Sequence, residues 1–233
     1  MKLEVTVRKF DPEKDDRPYW KDYSLDVDPK ERLLDVLNTI KGTKDGSLTY
    51  RKSCGHGVCG SCAMMINGEN RLACMTLVED LGSDKVKIEP LPGAEIDKDL
   101  AINQDNFWEM YVKVKPYLIN DDPPPSTERL QSPEDFDKIE ESTKCVLCGA
   151  CTYSCPSKWT DPEYLGPAAM LKAYRFIFDS RDHAGEERLN ILDNKKGIFK
   201  CYTIFNCVEA CPKDINLTWH FSEIKKRLAF NRY

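Results

Sequence analysis

The sequence predicts an α+β protein of two domains: a β-rich domain over residues 1–105 and an all-α domain over residues 106–233. Three observations carry that expectation. The chain opens on period-two alternation of apolar and polar residues, the mark of a half-buried strand. An acidic, proline-rich stretch crosses its middle, and beyond it apolar residues recur at helical spacing. Its 11 cysteines are not scattered: four lie between Cys54 and Cys74, four between Cys145 and Cys155, and three between Cys201 and Cys211.

The elements follow in order. Leu3, Val5 and Val7 alternate with Lys2, Glu4, Thr6 and Arg8, and Tyr23, Leu25 and Val27 repeat the pattern. The turn-rich DPEKDDRP lies between, so the two strands form a hairpin with a long loop. Pro29 opens a helical pattern through Leu33, Leu34, Val36, Leu37 and Ile40 that ends near Gly42. Short strands follow at Ala63–Ile66 and Lys85–Glu89, with Asn67-Gly68 a strong hairpin-turn dipeptide. Asn106–Leu118 is aromatic and amphipathic and reads as a helix. Asp121–Pro133, with Pro123, Pro124 and Pro125 in a row, cannot continue it and reads as an extended connector. Helices are expected at Pro162–Asp179 and from Asn216 to Phe230, the last capped by Asn216 or Thr218.

Composition excludes several function classes. With 39 acidic and 34 basic residues the formal net charge is −5, which does not suit nucleic-acid binding. No apolar run approaches the roughly 18 residues that span a bilayer. The amino terminus, MKLEVTVRKF, has neither the apolar core of a secretory signal nor the character of a transit peptide. Paired carboxylates, nucleophile–base sets and phosphate loops are not evident, so no catalytic residue is expected. An odd number of cysteines cannot all pair as disulfides, and clustered cysteines in a reducing compartment read first as metal sites.

Cys54-x4-Cys59-x2-Cys62 followed by Cys74 is the plant-type spacing for a [2Fe–2S] cluster. Gly55, Gly57 and Gly60 permit the backbone angles of a loop that wraps a cluster, and its N–H groups can point at sulfur. A structural zinc site would call for two C-x2–4-C knuckles, and one is missing. His56 lies inside the loop, but a Rieske centre needs two histidines; it reads as a plain loop residue.

Cys145-x2-Cys148-x2-Cys151-x3-Cys155-Pro156 is the bacterial ferredoxin run, whose fourth cysteine ligates the other cluster. CYTIFNCVEACP, Cys201 to Pro212, repeats that register with Ile204 at the second cysteine position. Cys145, Cys148, Cys151 and Cys211 then make a [4Fe–4S] ligand set. Cys155, Cys201 and Cys207 remain, with an apolar side chain in the fourth place, which suits a [3Fe–4S] cluster. Replacing an anionic thiolate by isoleucine should also raise that cluster's potential. Zinc sites, or one [4Fe–4S] cluster with spare thiols, leave the matched register unexplained.

Together these motifs resemble the iron–sulfur subunit of succinate dehydrogenase and quinol:fumarate reductase. RKSCGHGVCGSCAMMINGENRLAC is similar to that family's ferredoxin loop, and CVLCGACTYSCP and CYTIFNCVEACP to its later cluster segments. KPYL and GPAAMLKAYRFIFDSRD are similar to its connecting stretches, so the resemblance covers nearly the whole chain. It implies an N-terminal β-grasp plant-type ferredoxin domain and a C-terminal all-α ferredoxin domain. It further implies electron relay between FAD on a flavoprotein subunit and quinone at a membrane anchor, with haem b an optional group on partner subunits. The complex would lie at the cytoplasmic face of a prokaryotic inner membrane, with this chain peripheral. Pro156 and Trp159 match positions beside the family's quinone site; Trp159 reads equally as a quinone hydrogen-bond donor or as an aromatic anchor in the membrane-subunit interface. Ubiquinone-using members often carry a second tryptophan where this chain has Thr160, and histidine where it has Tyr202, so the resemblance leaves the quinone type open. A fumarate reductase running in reverse, a thiol:fumarate reductase subunit and a free-standing ferredoxin are the competing functions. His183 and His220 read as surface or helix-packing residues.

Overall fold

The computed structural model describes residues 1–231. The chain forms two compact units, one of Met1–Gln104 with Val146–Ser154, the other of Asp105–Cys145 with the chain from Cys155 onward. Val146–Ser154, expected in the second domain, therefore packs with the first unit.

In the first unit β1 (Lys2–Lys9) and β2 (Tyr19–Asp26) run antiparallel, in register from Lys2 opposite Asp26 to Lys9 opposite Tyr19. Their alternation drives Leu3, Val5 and Val7 wholly out of solvent. The helix α1 (Leu33–Thr43) starts later than Pro29 because Asp28–Glu31 turns first: the Asp28 carboxylate accepts the Lys30 N–H and the Asp28 carbonyl accepts that of Glu31. Asn67-Gly68, both at positive φ, turns the hairpin of β3 (Ala63–Ile66) and β4 (Glu69–Leu72). β5 (Lys85–Glu89) pairs parallel with β1 and antiparallel with β3, giving the order β2-β1-β5-β3-β4. Leu33, Val36, Leu37 and Ile40 of α1 share one core with Leu3, Val5, Met64, Ile66 and Ile88. A mixed sheet holding a single helix in this order is the expected β-grasp. The short β6 (Ile96–Lys98) and β7 (Ala101–Ile102) form a separate ladder too brief to show periodicity in the sequence.

The second unit is helical. α2 (Asp105–Lys113) stops short of the expected Leu118 because Lys115 adopts φ +49° and Pro116 follows. α3 (Pro133–Thr143) starts where the connector was expected to end; Ser132 caps it, accepting the Asp135 N–H at 3.1 Å with Pro133 in the first turn. The first unit's returning segment contains α4 (Ala150–Tyr153), and α5 (Pro156–Thr160) begins directly after Cys155. α6 (Pro167–Ile177) begins later than Pro162 because Gly166, at φ +83°, lies outside the helical region. It is the central element, buried from Ala168 through Leu171 and at Ala173 and Tyr174, and it packs on α2, α3, α7 (Gly185–Leu192) and the last helix. After the single turn α8 (Asn206–Glu209), α9 (Leu217–Asn231) closes the unit. Asn216 is its cap, accepting the Trp219 N–H at 3.1 Å, while Thr218 donates to Asn216 instead. No helix among the described residues is long and apolar enough to cross a membrane.

Candidate metal centres

None of the eleven cysteines, all among the described residues, forms a disulfide. The first four sit around the irregular loop between α1 and β3. Gly55 and Gly57 take φ of +73° and +71°, which turns successive amides inward. As a result the N–H groups of His56, Val58 and Cys59 point at Cys54 Sγ from 3.5, 3.4 and 3.3 Å, and that of Gly57 at Cys74 Sγ from 3.2 Å. These amides pull the Cys54 thiol down to about 6. Ser61 Oγ lies 3.1 Å from Cys59 Sγ and holds that thiol down too. Cys62, by contrast, is buried and pushed up to about 12. Arg32 fixes the loop from outside, donating to the Gly55 carbonyl at 2.7 Å. Several amides aimed at sulfur, with only cysteine in the donor set, fit an anionic thiolate–sulfide cluster. His56 is exposed and its own N–H serves Cys54, so its ring is not needed there.

Cys155, Cys201 and Cys207 line one cavity in the second unit, together with Pro156, Tyr202 and Ile204. Burial, reinforced by the neighbouring Cys201 and Cys155 sulfurs, pushes Cys207 up to about 12. A metal cluster taking the place of the Cys207 proton would release that buried thiol from the cost of ionising alone. Ile204 stands in the wall with 49% of its surface exposed, on a loop where Thr203 and Phe205 take positive φ. Lys225 of α9 ties that loop down by donating to the Cys201 carbonyl at 3.1 Å.

Of the remaining cysteines, Cys148 and Cys151 lie in the first unit, and Cys145 and Cys211 in the second. Burial raises the Cys211 thiol, with Cys145 adding to the effect, while the N–H groups of Ile215 and Lys213 face its sulfur and oppose it. Among the described residues, no three His, Cys, Asp or Glu side chains are arranged to hold a single metal ion; ligands of a cluster grip separate irons and need not converge on one point.

Trp159, on α5, is 46% exposed beside the cavity-lining Pro156. His183 is a surface residue, its Nε2 3.5 Å from Asp122. His220 is fully buried against Tyr174. Arg32, Ser61 and Lys225 were missed in the sequence: Arg32 and Lys225 act across 23 and 24 residues, where no local pattern reaches. Ser61 lies within the motif, and its place between two cysteines was the available signal.

Family models for a 2Fe-2S iron-sulfur cluster binding domain and a 4Fe-4S dicluster domain match residues 4–109 and 137–212. The succinate dehydrogenase iron-sulfur subunit of Coxiella burnetii is 44% identical over 92% of this chain and 92% of its own length. The chain belongs to the succinate dehydrogenase iron–sulfur subunit family. The mitochondrial succinate dehydrogenase [ubiquinone] iron-sulfur subunit of Candida glabrata, another member, is 42% identical over 97% of this chain and 90% of its own. Among solved structures, a chain of the Mycobacterium smegmatis Sdh1 complex in the apo form superposes with a TM-score of 0.88 at 25% identity, covering 100% of this chain and 97% of that one. Both domains expected from the family resemblance are therefore present.

Proposed function

We propose that the chain is the electron-transfer subunit of a succinate dehydrogenase, relaying electrons between FAD on a flavoprotein partner and quinone at a membrane anchor. The observation that carries this reading is the set of backbone amides aimed at Cys54 and Cys74, an arrangement that favours a negatively charged cluster over a protonated thiol pair. The clusters supply one-electron chemistry; the chain's own residues hold them, set the charge around them and shield them. Cys54, Cys59, Cys62 and Cys74 hold [2Fe–2S]. Cys145, Cys148, Cys151 and Cys211 hold [4Fe–4S]. Cys155, Cys201 and Cys207 hold [3Fe–4S], a choice supported by their shared cavity and by Ile204 in its wall.

Quinone binds beside that third site, where Pro156 lines the cavity and the Trp159 indole is exposed. The half-exposed Phe199, Ile204 and Phe205, with Tyr202, offer an apolar surface suited to the anchor subunits. The complex is peripheral on this chain's side, at the cytoplasmic face of the inner membrane. Relatives named as succinate dehydrogenases favour succinate oxidation over the fumarate reductase direction.

The test is a redox titration of the purified complex followed by low-temperature EPR. Three cluster signals are expected, one of them a [3Fe–4S] signal in the oxidised state. An intact complex lacking that signal would overturn the assignment of Cys155, Cys201 and Cys207.

A further inference from the structure

Gly60 lies between two cysteines of the first loop and is buried, with φ +71°. A Cβ placed there would meet Cys148 Cα and Cβ and the Val146 carbonyl oxygen, each at 2.8 Å. The Gly60 backbone thus lies directly against the backbone and Cβ of Cys148 and the Val146 carbonyl, leaving no room for a side chain of its own. That segment is held from a second side. Asn70 of β4, 7% exposed, donates its side-chain amide to the Ala150 carbonyl at 3.0 Å, a buried bond spanning eighty residues of chain. Cys148 also packs against the first unit's apolar core. These contacts explain why Val146–Ser154 leaves the helical unit and belongs to the first.

We propose that Gly60 and Asn70 are positioning residues that clamp the Cys148–Cys151 segment onto the first loop and so set the separation of the first and second clusters. The inference rests on the ligand sets given under Proposed function. Electron transfer between two centres falls steeply as they move apart, and a close approach is available only where no Cβ intervenes. Ordinary packing would tolerate alanine at many buried glycines; here the atoms opposing it are backbone and Cβ atoms of the next cluster's ligand segment, which cannot swing aside.

The experiment uses the cluster-loaded complex and three variants. Gly60→Ala adds the Cβ. Asn70→Ala removes the second hold. Gly82→Ala imposes a similar backbone strain, at φ +62°, outside the cysteine loops and with nothing within 4 Å of the new Cβ. The readouts are iron and sulfide content, the spin-relaxation enhancement of the [2Fe–2S] EPR signal when the second cluster is reduced, and the rate of electron transfer between the two after rapid reduction. Gly60→Ala should weaken the spin coupling and slow the transfer several-fold at full cluster content. Asn70→Ala should move both in the same direction by less, and Gly82→Ala should retain wild-type coupling. Fully loaded Gly60→Ala and Asn70→Ala complexes with wild-type coupling would overturn the clamp; where Gly60→Ala does not load, Asn70→Ala decides by the same criterion. A wild-type complex with no second-cluster signal would overturn the ligand sets themselves, a result distinct from unchanged coupling.

Discussion

Arg188 and Asp182 form an ion pair in which neither side chain has any solvent exposure. Arg188 also donates to the carbonyls of Lys115 and Tyr117, and Asp182 accepts the N–H groups of Ile119 and Ala184 at 2.9 and 2.8 Å. The pair thus ties α7 to the irregular chain that follows α2. Removing one partner leaves a buried charge and several polar groups unsatisfied, so Arg188→Leu should destabilise by about 3–5 kcal/mol. Urea unfolding of the cluster-loaded chain measures this. Replacing both residues with leucine should cost less than the sum of the single changes; strict additivity would argue against direct coupling of the pair.

Ile204 stands in the cavity wall with Cys155, Cys201 and Cys207. Ile204→Cys should supply a fourth thiolate, convert the site to [4Fe–4S] and lower its potential by adding negative charge. EPR checks the conversion and a redox titration the shift. Conversion with an unchanged potential would refute the charge argument.

Trp159 is half-exposed beside Pro156. Trp159→Ala in the intact complex should lower succinate-dependent quinone reduction about tenfold or more, on the scale of one lost buried hydrogen bond to the ligand. Dye-linked succinate oxidation should persist. Equal loss of both activities would indicate failed assembly rather than a quinone contact.

His220 is fully buried, and burial lowers its pKa below the ordinary value; Glu141, 3.5 Å away, and Glu223 only partly oppose this. Its Nδ1 faces the Asn216 carbonyl at 2.8 Å. The unfolded chain therefore binds a proton near pH 6.5 that the folded chain binds only at lower pH. Stability should be complete above about pH 6.5 and fall as pH drops from there toward the folded value, by at most about 1.4 kcal/mol per pH unit. Denaturation midpoints of wild type and His220→Phe across pH 5 to 8 test the sign, the variant losing that slope; identical slopes would exclude His220 as the source.

Much of the first unit was legible because its cause is local. The strict alternation of Leu3, Val5 and Val7 can bury only one face of a strand, and the spacing of Leu33, Val36, Leu37 and Ile40 can bury only one face of a helix. Asn67-Gly68 marks a turn by its own backbone preference. Element ends were less legible. Composition placed a connector up to Pro133, yet Ser132 and Pro133 were already starting α3, and helical periodicity before Pro167 gave way to the left-handed Gly166.

The two iron–sulfur binding domains were legible for a chemical reason: cysteines at short, characteristic spacings mark such domains whatever the surrounding fold. By itself the sequence determined the two iron–sulfur binding domains, the strands and helices with clear periodicity, and the isoleucine that stands at position 204 in a cysteine register. Only the tertiary structure decided that Val146–Ser154 belongs with the first unit, that Arg32 holds the Gly55 carbonyl, and that Gly60 lies against Cys148. Those choices depend on close packing between segments far apart in the chain, and a glycine's missing Cβ leaves no pattern that names its neighbour.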